Sequence, residues 1–508
     1  MFRKLVPLLL VTLLASACAK LPPRPDTVVQ HSLPSGQSTV LDRIVQPALD
    51  QHPGQSGFRL LSANEDAFAM RVISARRAER SLDAMYYIWH NDLTGRLMAR
   101  EALAAADRGA RVRLLMDDND ARVKDAGFAA LAAHPKIEVR LFNPFATRSG
   151  AMFQVVEGLT RFKRLNRRMH HKVWIADNRI AISGGRNLGD EYFGANQNLD
   201  FLDLDVAMVG PVVQAHSEVF DTFWNSPATW PIAALGAGRV TAKALNTLRK
   251  DLDAAFDDDR ASPFLESISE DNSVQRLMEG DWTLSWTSTW KLLSDLPGKI
   301  FKEEGTSAVL PGLEQAFNGA KQRVVIVSPY FVPGDDSTKA LTTRVKNGTR
   351  VVVLTNSLAA TDVALVHGGY ASHRRELLRG GVELYEFKNV GTQTRLSLIG
   401  SSQASLHTKA ALVDRRVAFV GSYNLDQRST VLNTEMGVLI EQPEIAAEVE
   451  RLIATQTAGE RAWRVSIGAN GFLQWSDGEV ISHTDPDASV SRKIQAWLAQ
   501  MLPIESQL

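Results

Sequence analysis

Hydrophobic and polar positions along the first half of the chain predict strands and helices in alternation. Residues 82–89 form an apolar run typical of a buried strand, and residues 95–108 carry apolar residues at helical spacing, with many alanines. Gly109 is the type of residue that ends a helix, and residues 112–116 return to a short apolar run. A further apolar run at 137–142 predicts a third strand.

The second half repeats this order. Residues 324–327 predict a strand, 338–346 a helix that Gly348 ends, and 351–354 and 382–387 two more strands. Alternating strands and helices favour an α/β sheet with right-handed crossovers. Because two such units follow each other, we expect two α/β domains related by a pseudo-twofold axis.

One short motif, His-x-Lys-x4-Asp, occurs in both halves and is followed by a glycine and, three residues later, an asparagine. The residues concerned are His170, Lys172, Asp177, Gly184, Gly185 and Asn187 in the first half and His407, Lys409, Asp414, Gly421, Ser422 and Asn424 in the second. Each lies 237 positions from its counterpart. Five identical residue types at one spacing indicate a duplicated site rather than a coincidence.

Strand geometry brings the side chains of each motif together. Successive strand side chains point to opposite faces, so His170 shares a face with Lys172, and His407 with Lys409. Each motif aspartate falls between two apolar runs, where a tight turn is expected. We therefore expect both aspartates to fix turns and to pair with nearby cations.

The residues after these turns suit phosphate binding. Glycine lets backbone approach a bound phosphate closely, which makes Gly185 and its counterpart Ser422 candidate phosphate contacts. Asn187 and Asn424 return to the same end of the strands as the histidines. Each half is thus expected to bring one imidazole, one ammonium and one carboxamide to a common point.

This set of side chains fits phosphodiester exchange. One histidine attacks phosphorus and forms a covalent phosphohistidine. The other protonates the departing alcohol and then deprotonates the incoming alcohol or water. Lysines and asparagines stabilise the charge that develops on the phosphate oxygens. We expect no metal and no cofactor, because these cations take the metal's place and no His, Cys, Asp and Glu cluster has metal-ligand spacing. The order of the two near-equivalent histidines stays open at this point.

A catalytic histidine needs an acid to orient it. Glu435 lies 28 residues after His407, and Asp205 occupies a similar place in the first half. The sequence after each acid is apolar up to Val449 or Val219, 14 residues on in both cases. We therefore predict that Glu435 and Asp205 are the orienting acids, with surface acids as the alternative.

Composition narrows the class of protein. The 508 residues suit two domains, and a hydrophobic share of 44% with a charged share of 22% is typical of a globular protein. Lysine and arginine number 57, as do aspartate and glutamate. Proteins that bind nucleic acid are usually basic, so this balance argues against a nuclease without excluding a local basic groove.

The N-terminus has the features of an export signal. Arg3 and Lys4 precede an apolar run at 5–14 that is too short to span a bilayer. Small residues lead into Cys18, the one cysteine of the chain, and resemble a bacterial lipobox, in which the cysteine is lipidated. In that resemblance, Ala19 favours the outer membrane over the inner membrane, with the protein on the periplasmic side. An ordinary cleaved signal or an uncleaved anchor is the alternative.

These features divide the chain into consecutive parts. We expect a lipoprotein-type signal at 1–18, a flexible tether at 19–50, a first domain at 51–230, a connector at 231–300, a second domain at 301–460 and a C-terminal cap at 461–508.

The paired motifs resemble those of the phospholipase D superfamily from about residue 51 onward. Further stretches are similar to the bacterial cardiolipin synthase C group, at residues 51–57, 86–89, 140–145, 164–170, 184–187, 192–194 and 502–505. The resemblance implies two phospholipase D-like α/β sandwich domains with the active site at their interface. It also implies that His170 takes a phosphatidyl group from phosphatidylethanolamine or phosphatidylglycerol. With His407 as the acid, that group passes to phosphatidylglycerol and gives cardiolipin.

Three alternatives stay open at this stage. A hydrolytic phospholipase D would use the same residues with water as acceptor. A periplasmic nuclease is less favoured by the neutral charge balance, and a lipid-binding scaffold with a dead site is disfavoured by two intact motifs. We expect phospholipid substrates, contact with a membrane surface, no nucleic acid and a monomeric catalytic unit. The need for an accessory protein is left open.

Overall fold

Two large mixed sheets, one in each half of the chain, form the centre of the molecule. The computed structural model describes residues 21–121, 124–146, 148, 162–196, 199–236, 240–257, 264–266, 268, 283–389, 391–392 and 402–501.

The strands are β1 (Ser56–Leu61), β2 (Ser81–Tyr86), β3 (Arg111–Asp117), β4 (Ile137–Phe142), β5 (Lys172–Ala176), β6 (Ile180–Gly184), β7 (Leu199–Leu202), β8 (Asp205–Val209), β9 (Thr229–Pro231), β10 (Ser285–Thr287), β11 (Trp290–Ser294), β12 (Arg323–Val327), β13 (Arg350–Asn356), β14 (Glu383–Phe387), β15 (Gly391–Thr392), β16 (Ser402–Leu406), β17 (Ala410–Val413), β18 (Val417–Gly421), β19 (Met436–Glu441), β20 (Ala462–Ile467), β21 (Leu473–Ser476) and β22 (Ile481–Ser482).

The α-helices are α1 (Val40–Gln51), α2 (Asn64–Arg77), α3 (Leu93–Asp107), α4 (Asp118–Ala121), α5 (Asp125–Leu131), α6 (Phe162–Leu165), α7 (Asp190–Phe193), α8 (Pro211–Trp224), α9 (Ala242–Phe256), α10 (Val309–Asn318), α11 (Gly334–Lys346), α12 (Ala364–Arg379), α13 (Pro443–Gln456) and α14 (Val490–Met501). Short 3-10 helices span Ile232–Leu235 and Pro297–Phe301, and a π-helical turn spans Arg428–Leu432.

The two sheets share the order of their central strands and differ at their edges. The first runs β10-β1-β8-β6-β5-β2-β3-β4-β9, and the second runs β11-β19-β18-β17-β12-β13-β14-β20-β21-β22. In each, three parallel strands lie beside an antiparallel hairpin, β5–β6 or β17–β18. The six predicted strands correspond to β2, β3, β4, β12, β13 and β14, so the predicted α/β class and the duplication are confirmed.

The two sheets pack against each other through one shared core. Strand side chains alternate between faces, so Leu115 and Val352 point into this core, which contains residues of both halves. Their neighbours Leu114 and Val353 point the other way, into separate cores under the outer helices. The two halves are therefore held as one body by continuous apolar packing.

The expectation of a tether at 19–50 is wrong for the described residues from 21 onward. The Ser32 amide donates to Asp221 at 2.6 Å, and Gln30 donates to Glu138 at 2.6 Å. Asp42, in the first turn of α1, is buried and accepts from Arg179 at 2.6 Å. Polar residues that are typical of linkers here form hydrogen bonds to the first domain.

The connector supplies one edge strand to each of the two sheets. β10 pairs with β1 in the first sheet, and β11, which follows at once, pairs with β19 in the second. Trp286 of β10 stacks on His52 with ring centroids 4.3 Å apart. In the C-terminal part, β20, β21 and β22 extend the second sheet.

Within the part of the chain that the structure describes, no helix combines the length and the apolar character needed to cross a bilayer.

Candidate active site

His170 lies two residues before β5 and is held by the second half of the chain. Its amide donates to the Thr434 carbonyl at 2.9 Å, and its ring Nδ1 lies 2.9 Å from Glu435 Oε2. A carboxylate at Nδ1 favours the tautomer with the proton on Nδ1, which leaves Nε2 free for chemistry.

His407 follows β16 and is held by the first half in the same way. Its amide donates to the Leu202 carbonyl at 2.8 Å, and its Nδ1 lies 2.6 Å from Asp203 Oδ2. Each histidine is therefore oriented by an acid from the opposite half, and the site is complete only when the two halves are together.

The assignment of Asp205 as an orienting acid is wrong, because Asp203 occupies that position. Asp205 is fully buried and pairs with Arg71 at 2.8 Å. Strand register explains the difference: Asp205 lies opposite Gly184 in β6, whereas Gly437 lies opposite the matching Gly421. The true counterpart of Glu435 is thus two residues before Asp205.

The sequence holds a signal that identifies this register. Pro211 and Pro443 are each the first residue of the helix that follows, α8 or α13. They are 232 residues apart, as are Asp203 and Glu435. Proline is favoured at the first helical position, so these two residues mark equivalent points better than the length of the apolar run does.

Gly185 and Ser422 contact the orienting acids, which corrects their assignment as phosphate contacts. A Cβ on Gly185 would lie 2.1 Å from Asp203 Oδ1, so the glycine makes room for that carboxylate. At the matching position, the Ser422 hydroxyl donates to Glu435 Oε2 at 2.5 Å. The larger glutamate also accepts from Ser429 at 2.8 Å.

The two motif lysines are buried beside the histidines. Lys172 Nζ donates to the His170 carbonyl at 2.8 Å, and Lys409 Nζ donates to the His407 carbonyl at 2.5 Å. A backbone carbonyl thus holds each lysine in place, and Lys409 Nζ also lies 3.1 Å from His407 Nδ1.

The two asparagines differ in their contacts. Asn187 donates to the Tyr192 hydroxyl at 2.8 Å and accepts from the Ile88 amide at 3.3 Å. Asn424 is buried, and among the described residues its Oδ1 has no hydrogen-bond partner. A buried, unpaired acceptor is costly, so the Asn424 oxygen is suited to accept from a substrate hydroxyl, whereas its NH2 group is the part that can donate to a phosphate oxygen.

Asp177 and Asp414 lie at the far end of the hairpins from the histidines and are structural. Both have positive φ, 52° and 51°, in the three-residue connections of the two hairpins, 177–179 and 414–416. Asp177 accepts from the amides of residues 79–81, and Asp414 from those of residues 321–323. The expected turn role agrees with this geometry, but the catalytic assignment does not, because both carboxylates lie at the turns and accept from backbone amides. Burial alone would raise the pKa of Asp414, but its backbone hydrogen bonds and the charge of Arg416 hold that pKa below its usual value.

Aromatic rings flank both histidines. Tyr87 meets His170 edge-on, with ring centroids 5.0 Å apart. Tyr192 and Phe201 contact His407 at 5.2 Å and 5.0 Å. These rings restrict the imidazoles and reduce their contact with water.

Burial and neighbouring cations keep His170 neutral. Desolvation, followed by the charges of Lys172 and Lys409, places the pKa of His170 well below its usual value. Burial raises the pKa of Glu435 to about 7, although Lys172 opposes this shift. An uncharged imidazole is the nucleophilic form.

The electrostatics of the His407–Asp203 pair differ from those of the His170–Glu435 pair. Desolvation and then Lys409 lower the pKa of His407, while the adjacent Asp203 opposes them. Burial alone would raise the pKa of Asp203, but His407 beside it holds that pKa below its usual value. Asp203 is therefore ionised near neutral pH and supports a proton on His407 better than Glu435 supports one on His170.

Within the described ranges of the chain, two clusters outside the histidine site have donors that a metal could use. His90, Asp92 and Glu191 bring three ligand atoms within 4.8 Å of one another, and His90 Nδ1 already lies 3.1 Å from Glu191. The second cluster, His367, Glu386 and Asp485, includes the Arg374 guanidinium, which donates to Asp485 at 2.8 Å. That arginine supplies the positive charge, so the second cluster does not fit a cation.

A cavity of about 670 Å³ lies between α3, α5 and α9. Its lining combines polar residues with apolar ones: His90, Asn91, Arg96 and Lys124 with Ala99, Phe128, Leu131, Leu248 and Leu252. His90 contacts Glu191, the neighbour of the Tyr192 that touches His407. The motif histidines are not among the residues that line this cavity.

Comparisons with known proteins agree with this geometry. The sequence model of the family described as "Cardiolipin synthase, PLD-like domain" matches residues 73–224 and 313–456. Cardiolipin synthase C of Escherichia coli (strain K12) is 39% identical over 471 residues, covering 91% of this chain and 98% of that protein. Cardiolipin synthase A of Pseudomonas fluorescens (strain Pf-5) is 26% identical over 406 residues, covering 79% of this chain and 69% of that protein.

A solved structure has the same fold. The phosphatidylserine synthase of Haemophilus influenzae Rd KW20 aligns with a TM-score of 0.61 at 14% identity, covering 91% of this chain and 99% of that chain. At this identity, the likeness concerns the fold alone, and the two-domain arrangement extends over nearly the whole of both chains.

Proposed function

The chain belongs to the phospholipase D superfamily, in the family of cardiolipin synthases with phospholipase D-like domains, and from this premise we propose that it is a phosphatidyltransferase that makes cardiolipin. The observation that carries the proposal is the pair of buried histidines, each hydrogen-bonded to an acid from the opposite half. Such a pair can take a phosphatidyl group on one imidazole and move protons with the other.

In the first step, His170 Nε2 attacks the phosphorus of phosphatidylethanolamine or phosphatidylglycerol. The bond to the head-group alcohol breaks, and His407 gives that alcohol a proton. Glu435 holds the Nδ1 proton of His170 throughout, and Lys172 and Lys409 stabilise the phosphate oxygens.

In the second step, His407 takes a proton from a glycerol hydroxyl of phosphatidylglycerol. The resulting oxygen attacks the phosphohistidine, the P–N bond breaks, and cardiolipin and free His170 result. The charge balance favours this order, since burial and the two lysines place the pKa of His170 well below its usual value, whereas Asp203 opposes the lowering of the His407 pKa that burial and Lys409 cause.

Mixed vesicles test the proposed reaction. The purified protein is given phosphatidylethanolamine and phosphatidylglycerol with different acyl chains, and the products are analysed by mass spectrometry. We expect cardiolipin whose chain composition identifies the donor, and we expect His170→Ala to abolish it. Phosphatidic acid without cardiolipin would contradict transfer and establish hydrolysis instead.

We further propose that Cys18 carries a lipid anchor and that the protein faces the periplasm at the outer membrane. The support is the lipobox-like sequence before Cys18, which lies outside the described residues. Cells grown with a labelled fatty acid should place the label on the protein, the labelled protein should be in the outer-membrane fraction, and Cys18→Ser should lose the label. Label retained by the Cys18→Ser variant would contradict the anchor.

A further inference from the structure

The C-terminal helix α14 packs with its small residues inward. Ala496 and Ala499 are buried against Gly368 of α12, where an added Cβ would lie 2.4 Å from the Ala496 carbonyl and 2.6 Å from Ala499 Cβ. Close packing of the two helices therefore needs small residues on both sides.

The large apolar residues of the same helix face outward. The exposed fractions are 74% for Val490, 52% for Ile494, 54% for Trp497, 44% for Leu498 and 64% for Met501. At 100° per residue these five positions form one stripe, on the side opposite Ala496 and Ala499. We call it the α14 stripe.

Exposure of this kind is unfavourable in water. Apolar surface costs about 25 cal/mol per Å² when it stays hydrated, and contiguous exposed patches mark interaction or membrane sites. The helix carries Arg492 and Lys493 and has no acidic residue within its bounds. Lys493 flanks the stripe, whereas Arg492 is turned to the protein and donates to the Leu358 carbonyl at 2.8 Å.

This contact places α14 at the same end of the second sheet's strands as His407. Leu358 follows β13, whose last residue, Asn356, exchanges hydrogen bonds of 2.8 Å and 3.0 Å with the Leu406 backbone. Leu406 directly precedes His407. Val363 and Leu365, at the start of α12, are exposed by 38% and 39% and add further apolar surface.

We propose that the α14 stripe is a membrane-docking surface that inserts into the interface of an anionic bilayer and turns the active site toward its lipid substrates. Tryptophan at the interface, aliphatic residues below it and a flanking lysine are the features of an interfacial helix. The orientation part of this proposal rests on the proposed lipid substrate, whereas bilayer binding can be measured without turnover.

A second copy of the chain fits the stripe less well. A 12-residue helix is about 18 Å long and about 10 Å wide, and a stable protein interface needs roughly 800 Å² from each partner. A bilayer has no such minimum area, and its anionic surface matches the absence of acids in the helix.

Vesicle sedimentation tests the proposal with the chain from residue 19 onward, which carries neither the apolar run at 5–14 nor Cys18, so that no N-terminal anchor contributes. Vesicles contain phosphatidylethanolamine and phosphatidylglycerol, with phosphatidylcholine vesicles for comparison. We expect Ile494→Gln with Trp497→Gln to lower the bound fraction at least about tenfold, because two large apolar side chains are lost from the stripe. Gln495→Ala, on the same helix but outside the stripe, is the matched control and should bind like the parent.

Activity on dispersed short-chain phosphatidylglycerol separates docking from chemistry. The stripe variant should keep its turnover there and lose it on vesicles. Equal loss on both substrates, unchanged vesicle binding, or a change from dimer to monomer in sizing chromatography would each overturn the proposal. So would vesicle binding that appears only after residues 502–508 are deleted, because that segment would then be what covers the stripe. Sedimentation without any cardiolipin formation would leave docking supported and count against the proposed function alone.

Discussion

Asp203 and Asp205 lie two residues apart and are both buried, but they contact different partners. Asp203 contacts the imidazole of His407 at 2.6 Å, whereas Asp205 neutralises Arg71, whose guanidinium is also fully buried. An acid that orients a catalytic imidazole affects the rate, and an acid that pairs a buried cation affects the stability of the fold.

Replacing each aspartate by asparagine should separate these two effects. We expect Asp203→Asn to lower kcat/KM about 10²- to 10⁴-fold, because His407 loses the charge that orients it. Asp205→Asn should instead lower the free energy of unfolding by about 3–5 kcal/mol, because the charge of Arg71 is left unpaired. Kinetics on vesicles and denaturant unfolding measure the two quantities. A large rate loss for Asp205→Asn in fully folded enzyme would contradict this division.

At the scale of elements, the two motif hairpins share their turn geometry and differ in solvent exposure. Asp177 is fully buried, and the hydrogen bonds to its carboxylate are buried or part-buried. Two of the three amide bonds to Asp414 are instead exposed. The same side chain should therefore matter more in the first hairpin, because water can replace lost hydrogen bonds only where it has access.

Glycine substitutions compare the two turns, because glycine tolerates the positive φ and removes only the carboxylate. We expect Asp177→Gly to cost about 3 kcal/mol of unfolding free energy and Asp414→Gly about 1 kcal/mol. In both variants, kcat/KM of the folded protein should stay within about twofold of the parent. A loss of rate comparable to that of a histidine variant would restore a catalytic role to these aspartates.

At the scale of the whole molecule, the active site depends on the association of the two halves. The shared core and the two acid–histidine pairs cross between them. The covalent connection is therefore less important for activity than the packed interface.

A protease site inserted between residues 269 and 282 tests this dependence. After cleavage we expect the fragments to co-elute and to keep most of the activity, because the interface stays intact. A chain that ends at residue 268 should be inactive, since it lacks Glu435 as well as His407. Activity of that fragment alone would contradict the shared site.

The sequence predicted the α/β class, the duplication and the paired motifs, because strand and helix periodicity and the 237-residue spacing are local features. It could not identify Asp203, because an apolar run does not define register, whereas the pairing of Asp205 with Gly184 does. The polar segment before residue 50 was misassigned for a similar reason. Its hydrogen-bond partners, such as Asp221, are distant in sequence.

The exchange of acids between halves also constrains how such a chain can evolve. A single ancestral half with this arrangement would have been active only as a dimer of identical copies, in which the acid of each copy contacts the histidine of the other. After gene duplication and fusion, neither acid could be lost without inactivating the opposite motif. Each acid now contacts a residue that leaves room for it or bonds to it. Asp203 lies against Gly185, which has no side chain, and the Glu435 carboxylate accepts from the Ser422 hydroxyl.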